Sequence, residues 1–121
     1  LKGVISCFAT DHAPHAARFK KLGFTRAPFG VTGLETAVAA TWTAMVVESG
    51  MEPLEWARRW LCGPADVLGI ERPSFTPGNA VAATLFNTNP WHIQSADLSS
   101  KSLNNPFVGR TLVGRVLTML G

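Results

Sequence analysis

The feature that most constrains the fold is a short apolar run that ends abruptly in a cluster of polar residues. Gly3–Ala9 (GVISCFA) is almost uniformly apolar and rich in β-branched and aromatic side chains, a pattern typical of a strand buried on both faces in a parallel sheet. Thr10–His15 (TDHAPH) follows at once, so we expect it at the carboxyl end of that strand. In parallel α/β folds, ligands and catalytic groups gather at this end. The run therefore predicts an α/β protein with a candidate site directly after its first strand.

A loop and two helices are predicted to follow. Ala16–Gly30 shows no clear periodicity and reads as a long loop, which is uncommon unless the loop is functional. Thr32–Glu35 (TGLE) has the spacing of a capping box, and the apolar residues behind it recur every three or four positions. This predicts an amphipathic helix that ends near Gly50. Pro53 fits the first turn of a second helix, which Gly63–Pro64 should stop.

The last third of the chain has the pattern of a small β-structure. Three stretches there read as strands: Ala80–Phe86, Trp91–Ile93 and Thr111–Leu120. Ser99–Gly109, before the last of them, is polar and loop-like. We therefore divide the chain into residues 1–72, with a strand, a loop and helices, and residues 73–121, with the later strands.

Composition argues against several classes of protein. The net charge of +3 is mild and the basic residues read as solvated surface, so we expect no nucleic-acid partner. The longest apolar stretch, Ala37–Val47, is interrupted by threonines and is shorter than the roughly 20 residues of a membrane span. Cys7 and Cys62 form no paired motif, which favours a reduced, cytoplasmic protein. The start at Leu1 and the end at Gly121 indicate a piece of a longer chain.

Asp11, His12 and His15 are the candidate chemical groups. A carboxylate at the mouth of a parallel strand can bind a metal ion or act as a general base, and imidazoles can ligate a metal or donate to an anionic substrate. Pro14 stiffens the turn and so limits where His15 points. The same residues also fit a plain polar turn capped by Asp11. The residues alone leave both interpretations open.

Three blocks of sequence resemble one enzyme family. They are Ala9–His15 (ATDHAPH), Ala27–Thr36 (APFGVTGLET) and Ser100–Val116 (SKSLNNPFVGRTLVGRV). Together they resemble the C-terminal part of a bacterial dihydroorotase, an amidohydrolase-superfamily enzyme of pyrimidine biosynthesis that is related to the multifunctional animal enzyme. The resemblance extends over nearly the whole chain, which makes it more specific than any single motif.

The resemblance implies a fold of the α/β class. The family has a distorted (β/α)8 barrel of the metal-dependent hydrolase type and a small β-domain built from both ends of the chain. Residues 4–10 would be the last barrel strand. Residues 1–72 would form the end of the barrel with its active-site loop and helices, and residues 73–121 the strands that return to the β-domain.

The resemblance also implies a reaction and its residues. The family cyclises N-carbamoyl-L-aspartate reversibly to L-dihydroorotate at a site with one or two Zn²⁺ ions. Asp11 matches the catalytic aspartate, which ligates a metal and carries the proton. His15 matches the histidine that contacts the substrate carboxylate, and Phe29 and Gly30 match the loop whose backbone meets the substrate. Most metal ligands would lie outside this chain, so the fragment should be inactive alone.

Other polar residues are predicted to be structural. His12 is expected to support either the turn or a neighbouring ligand, Glu35 to cap its helix and His92 to be satisfied within the fold. The third block should order the loop that returns to the β-domain, through four polar residues: Lys101, Ser102, Asn104 and Asn105.

Alternatives within and outside this family stay open. One is another cyclic amidohydrolase, such as a hydantoinase or allantoinase, although these generally lack a histidine at the position of His15. A second is a non-catalytic dihydroorotase-like subunit that pairs with aspartate transcarbamoylase, and a third is a free-standing binding module. The expected partners are a small-molecule substrate and either a second copy of the chain or aspartate transcarbamoylase.

Overall fold

The structure, a computed structural model, describes residues 3–121, so Leu1 lies outside the described residues. The helical elements are α1 (Ala17–Lys20), α2 (Ala37–Thr41), a π-helix (Trp42–Glu48) and α3 (Pro53–Leu68). Strands β1 (Ala83–His92) and β2 (Thr111–Leu120) follow, with a 3-10 turn (Ser95–Asp97) between them. Within the described residues, this is a small α/β chain with one two-stranded antiparallel sheet. Among residues 3–121, no helix is both long and apolar enough to cross a membrane.

The predicted first strand forms no sheet in the described part of the chain. Residues 3–10 are neither helical nor paired with a strand, and Val4 is 89% exposed. A backbone hydrogen bond from Phe8 N–H to Arg59 O, at 3.1 Å, joins this segment to α3. A strand buried on both faces needs a neighbour on each side, and no other described segment pairs with residues 3–10. The expectation of a buried strand is therefore not met within this chain.

The predicted capping box is wrong. The α-helix begins after Thr36, which makes no side-chain cap, and the Thr32 hydroxyl is buried without a partner in the described chain. The Glu35 carboxylate instead accepts the backbone N–H groups of Ser99–Ser100, the latter at 3.2 Å. A contact between residues more than 60 positions apart thus replaces the local one, because the carboxylate can satisfy two backbone donors in that loop.

α2 continues directly into the π-helix, so the predicted amphipathic helix changes its winding midway. Thr41 and Thr43 donate their hydroxyl protons to carbonyl oxygens one turn earlier, to Ala37 at 2.9 Å and to Ala39 at 2.8 Å. Hydroxyl bonds of this kind bend helices, and π segments occur where the regular ladder is disturbed. The Thr43 oxygen also accepts Val113 N–H at 2.8 Å, which fastens the π-helix to β2.

α3 runs through the predicted stop at Gly63–Pro64. It ends instead before Gly69, whose φ of 65° closes the helix in the left-handed conformation common at helix ends. Gly63 faces the first segment so closely that a Cβ would overlap the Ser6 carbonyl oxygen and lie 2.8 Å from Cys7 Cβ. The glycine is therefore a packing contact of α3 and not its end.

The sheet largely follows the sequence pattern. β2 has the predicted bounds, whereas β1 starts three residues late and extends through Trp91 and His92, which joins two predicted strands. Register shifts fall between Leu85 and Phe86 and between Asn87 and Pro90. The core between the helices and the sheet is small and centres on three buried residues: Ala39, Ile93 and Leu112.

An aromatic cluster joins the helices to β1. Trp42 meets Trp56 and Phe86 edge-on, at centroid distances of 5.0 and 5.2 Å, and Trp56 stacks on Phe86 at 5.6 Å. The indole N–H groups of Trp56 and Trp60 both donate to the Thr41 hydroxyl oxygen at 3.0 Å. The cluster therefore combines apolar burial with satisfied polar atoms.

Candidate active site

Asp11 lies in the loop between residues 3–10 and the first helices. Its φ is +44°, in the left-handed region that residues other than glycine rarely adopt but that aspartate tolerates. The residue is exposed, and its carboxylate forms no salt bridge among residues 3–121. Uncommon backbone conformations cluster at functional sites, so this loop is the first candidate.

His12 anchors this loop to the start of the helical region. Its Nδ1 accepts the backbone N–H groups of Gly33 at 3.2 Å and Leu34 at 3.1 Å. Because Nδ1 accepts, the ring carries its proton on Nε2 and is neutral in this arrangement. These two bonds are the kind of contact expected of a supporting residue.

His15 is fixed through both its ring and its backbone. The ring Nε2 lies 2.7 Å from Phe29 O, and because a carbonyl oxygen can accept but not donate, Nε2 carries the proton. Ser102 Oγ accepts His15 N–H at 3.2 Å and lies 2.6 Å from His15 O, to which it donates. The Nδ1 atom is left free of protein partners within the described residues.

The Phe29–Gly30 loop turns its carbonyl groups toward the protein. Phe29 O accepts from the ring of His15, and Gly30 O accepts from Lys20 Nζ at 2.8 Å and from Asn104 Nδ2 at 3.2 Å. Within residues 3–121, the N–H groups of Phe29 and Gly30 donate to no protein atom. The loop therefore offers hydrogen-bond donors, which suits a carboxylate or carbonyl oxygen of a ligand.

Gly30 allows the two loops to approach each other. Its φ is +104°, and a Cβ at this position would overlap the Cβ of Ala13. The backbone bond from Ala13 N–H to Val31 O, at 2.9 Å, crosses the same contact. The structure thus brings His15, Phe29 and Gly30 together, and Asp11 lies two residues from the contact point at Ala13.

The three blocks that carry the family resemblance meet at this place. The first and second blocks join through His12 and Ala13, and the third reaches both through Ser102 and Asn104. Asn104 O also accepts Thr32 N–H at 3.2 Å. Segments separated by up to 87 residues therefore form one polar cluster around the His15 backbone.

Sequence reasoning missed Lys20. The predicted solvated lysine is half-buried, at the end of the short helix α1 inside the predicted loop, and its Nζ donates to Pro28 O and Gly30 O at 2.8 Å each. No local spacing signals this role, because its two acceptors lie 8 and 10 residues further along in an irregular loop.

The described residues do not by themselves form a metal centre. Within the described residues, no three His, Cys, Asp or Glu side chains lie close enough to hold an ion. His12 Nδ1 and His15 Nε2 are engaged with the backbone, whereas the exposed Asp11 carboxylate and His15 Nδ1 have no protein partner within the described residues. Zinc takes four ligands, of which a catalytic site draws three from the protein. Asp11 therefore fits as one ligand of a site completed elsewhere.

Comparison with curated proteins gives a consistent result across bacteria. The chain is 39% identical over 113 residues to a protein of Pelotomaculum thermopropionicum, 38% over 117 residues to one of Chlorobaculum tepidum and 36% over 119 residues to one of Enterococcus faecalis. These matches cover 93, 95 and 97% of the chain, and all three relatives are named dihydroorotase. The chain matches one part of dihydroorotase. No family model matches it.

The match concerns a limited part of each dihydroorotase. The chain spans about a quarter of the length of the curated relatives it matches, 26% for the Pelotomaculum and Chlorobaculum proteins and 28% for the Enterococcus protein. This coverage is consistent with the C-terminal portion that the three sequence blocks predict. The resemblance to dihydroorotase, drawn from those blocks, is confirmed along nearly the whole chain.

Proposed function

We propose that this chain serves in a zinc-dependent dihydroorotase, which interconverts N-carbamoyl-L-aspartate and L-dihydroorotate. The convergence of the three blocks around His15 carries the proposal, because blocks that resemble dihydroorotase in sequence also meet in space. The similarity to curated dihydroorotases supports it. Both compounds in this reaction carry carboxylates, which a site rich in hydrogen-bond donors would bind.

The substrate carboxylate is assigned to His15 and the Phe29–Gly30 loop. Protonated on both nitrogens, the His15 ring would donate from Nε2 to Phe29 O and from Nδ1 to the carboxylate. The backbone N–H groups of Phe29 and Gly30 supply further donors at the same loop. The carbonyl groups of this loop already accept hydrogen bonds from His15 and Lys20, which lowers their repulsion of the anion.

Asp11 is assigned the role of the group that transfers the proton. Its carboxylate would accept a proton from the attacking water in the hydrolytic direction and return it to the amide nitrogen that leaves the ring. The same carboxylate would supply one ligand to Zn²⁺, with the other ligands outside this chain. When bound, zinc supplies an activated water and polarises the amide carbonyl group. His12 would keep the loop of Asp11 in place by its two backbone bonds.

The barrel is part of the same proposal. In the full-length protein, residues 4–10 would pair as the last strand of a (β/α)8 barrel, with residues 1–72 at the end of the barrel and residues 73–121 in a small β-domain. The exposed apolar residues of the first segment, such as Val4, support this arrangement because neighbouring strands would cover them. Asp11 would then lie at the carboxyl end of the barrel, where such enzymes place their chemistry.

The test is a substrate comparison on the full-length protein loaded with zinc. Carbamoyl aspartate, dihydroorotate, hydantoin and allantoin are assayed side by side. Turnover of the first two at rates far above the others is expected. Preference for hydantoin or allantoin would replace the proposal with the related amidohydrolase activity, and no turnover of any substrate would favour a non-catalytic subunit.

Replacement of His15 by alanine should mainly weaken substrate binding. In the full-length enzyme, His15→Ala is expected to raise KM for dihydroorotate by about tenfold or more and to change kcat much less, since one charge-assisted hydrogen bond is lost. The matched control is His92→Ala, because His92 lies at the end of β1 and bonds Thr111. A normal KM in His15→Ala, or an equal rise in the control, contradicts the assignment.

A further inference from the structure

We infer that Ser102 and Asn104 are positioning residues for the substrate carboxylate, a role that rests on the proposed function. Their block is predicted from sequence to have a structural role in ordering a loop. The structure instead connects both side chains to the two groups proposed to meet the substrate, His15 and Gly30.

Ser102 holds the peptide groups on both sides of one residue. Its oxygen accepts His15 N–H at 3.2 Å and lies 2.6 Å from His15 O, and the side chain is buried, with 6% of the residue exposed. A hydroxyl that bonds both the N–H and the C=O of the same residue opposes rotation of that residue's backbone. By holding the His15 backbone, Ser102 helps to keep the His15 ring directed toward Phe29 O.

Asn104 holds the backbone of the facing loop, which contains Gly30, as Ser102 holds the backbone of His15. Its Nδ2 donates to Gly30 O at 3.2 Å, and its backbone oxygen accepts Thr32 N–H at 3.2 Å, so one residue holds the loop at two points. Its Oδ1 is hydrogen-bonded to Ser102 Oγ. The hydroxyl proton of Ser102 is therefore shared between His15 O and Asn104 Oδ1. This shared bond links the hydrogen bonds that hold His15 to those that hold the facing loop.

The neighbouring Asn105 provides a comparison within the same block. Its Nδ2 donates to Thr36 Oγ1 at 3.2 Å and its Oδ1 accepts Phe107 N–H at 2.9 Å, so it supports the start of α2 and its own loop. It makes no hydrogen bond to His15 or Gly30 in the part of the chain that the structure describes. Two adjacent asparagines thus separate a positioning role from a purely structural one.

The experiment compares three variants of the full-length, zinc-loaded enzyme. Asn104→Asp keeps the acceptor toward Ser102 but replaces the donor to Gly30 O by an oxygen. Ser102→Ala removes both hydrogen bonds to the His15 backbone. Both should raise KM for dihydroorotate about tenfold, with kcat within about threefold of the parent enzyme. Asn105→Asp should lower the midpoint of thermal unfolding and leave KM unchanged.

The outcomes separate this inference from the proposed function. If the parent enzyme does not act on dihydroorotate, the proposed function fails first. If the parent is active but Ser102→Ala and Asn104→Asp keep its KM, or if Asn105→Asp raises KM equally, the positioning role is wrong. Rescue of Ser102→Ala toward the parent KM by Ser102→Thr, which restores a hydroxyl, is the expected further result.

Discussion

Asp11→Asn is expected to abolish nearly all turnover of the full-length enzyme while leaving its fold intact. Asparagine has the size of aspartate and tolerates the observed φ of +44°, so the loop keeps its conformation. It lacks the negative charge needed to accept the proton and to ligate zinc firmly. Loss of a general base lowers rates by roughly 10²–10⁴-fold, so kcat should fall by about 10³-fold or more.

The measurement combines kcat, zinc content and the midpoint of urea unfolding. Asp11→Ala should lose activity to the same extent, and Glu71→Gln serves as the matched control because Glu71 is an exposed carboxylate outside the candidate site. More than a tenth of the parent kcat in Asp11→Asn would overturn the role of Asp11. A loss of activity that parallels a loss of folded protein would assign the effect to stability.

Gly63→Ala is expected to give the largest loss of stability. In the interior of an ordinary helix this change stabilises by roughly 0.5–1 kcal/mol, because alanine is the better helix former. Here the added Cβ would overlap the backbone oxygen of Ser6 and crowd Cys7. Overpacking of this kind typically costs about 1–3 kcal/mol, and backbone atoms cannot rotate away as a side chain can. The net effect should be destabilising by about 1–2 kcal/mol, because the overlap with backbone puts the cost in the upper part of its range.

Urea unfolding of the full-length protein measures this effect. Cys62→Ala is the matched control, since it changes the neighbouring helix position without adding an atom toward residues 6 and 7. The control should stay within about 0.5 kcal/mol of the parent. An unfolding midpoint of Gly63→Ala equal to or above the parent would show that the close contact between α3 and the first segment is absent in solution.

Local patterns in the sequence predicted some elements and missed others. The bounds of β2 follow from a short pattern and are confirmed. The motif at Asp11–His15 can be found in the sequence as a polar cluster after an apolar run, and its chemical role stays a prediction. Gly63–Pro64 misled the prediction, because glycine and proline are usual helix breakers. At this position close packing against residues 6 and 7 explains the glycine within a continuing helix.

Long-range contacts explain most of what local reasoning could not give. Glu35 has the spacing of a capping residue, yet its carboxylate finds backbone donors in Ser99–Ser100. Ser102 reaches a residue 87 positions away, and Lys20 finds two carbonyl groups of an irregular loop. No periodicity or spacing in the sequence indicates these long-range contacts. The segment 3–10 differs for another reason, because pairing of a strand depends on neighbours that residues 11–121 do not provide.

The aromatic cluster between the helices and β1 gives this polypeptide a built-in spectroscopic probe. The chain has four tryptophans and no tyrosine, and three of the four lie in or beside the cluster, with two indole groups sharing one threonine hydroxyl. Its tryptophan fluorescence therefore arises mainly from the aromatic cluster, here called the seam, where the helices contact β1. Any event that parts this seam would shift the emission maximum to longer wavelength, which makes separation of the two parts visible without an attached dye.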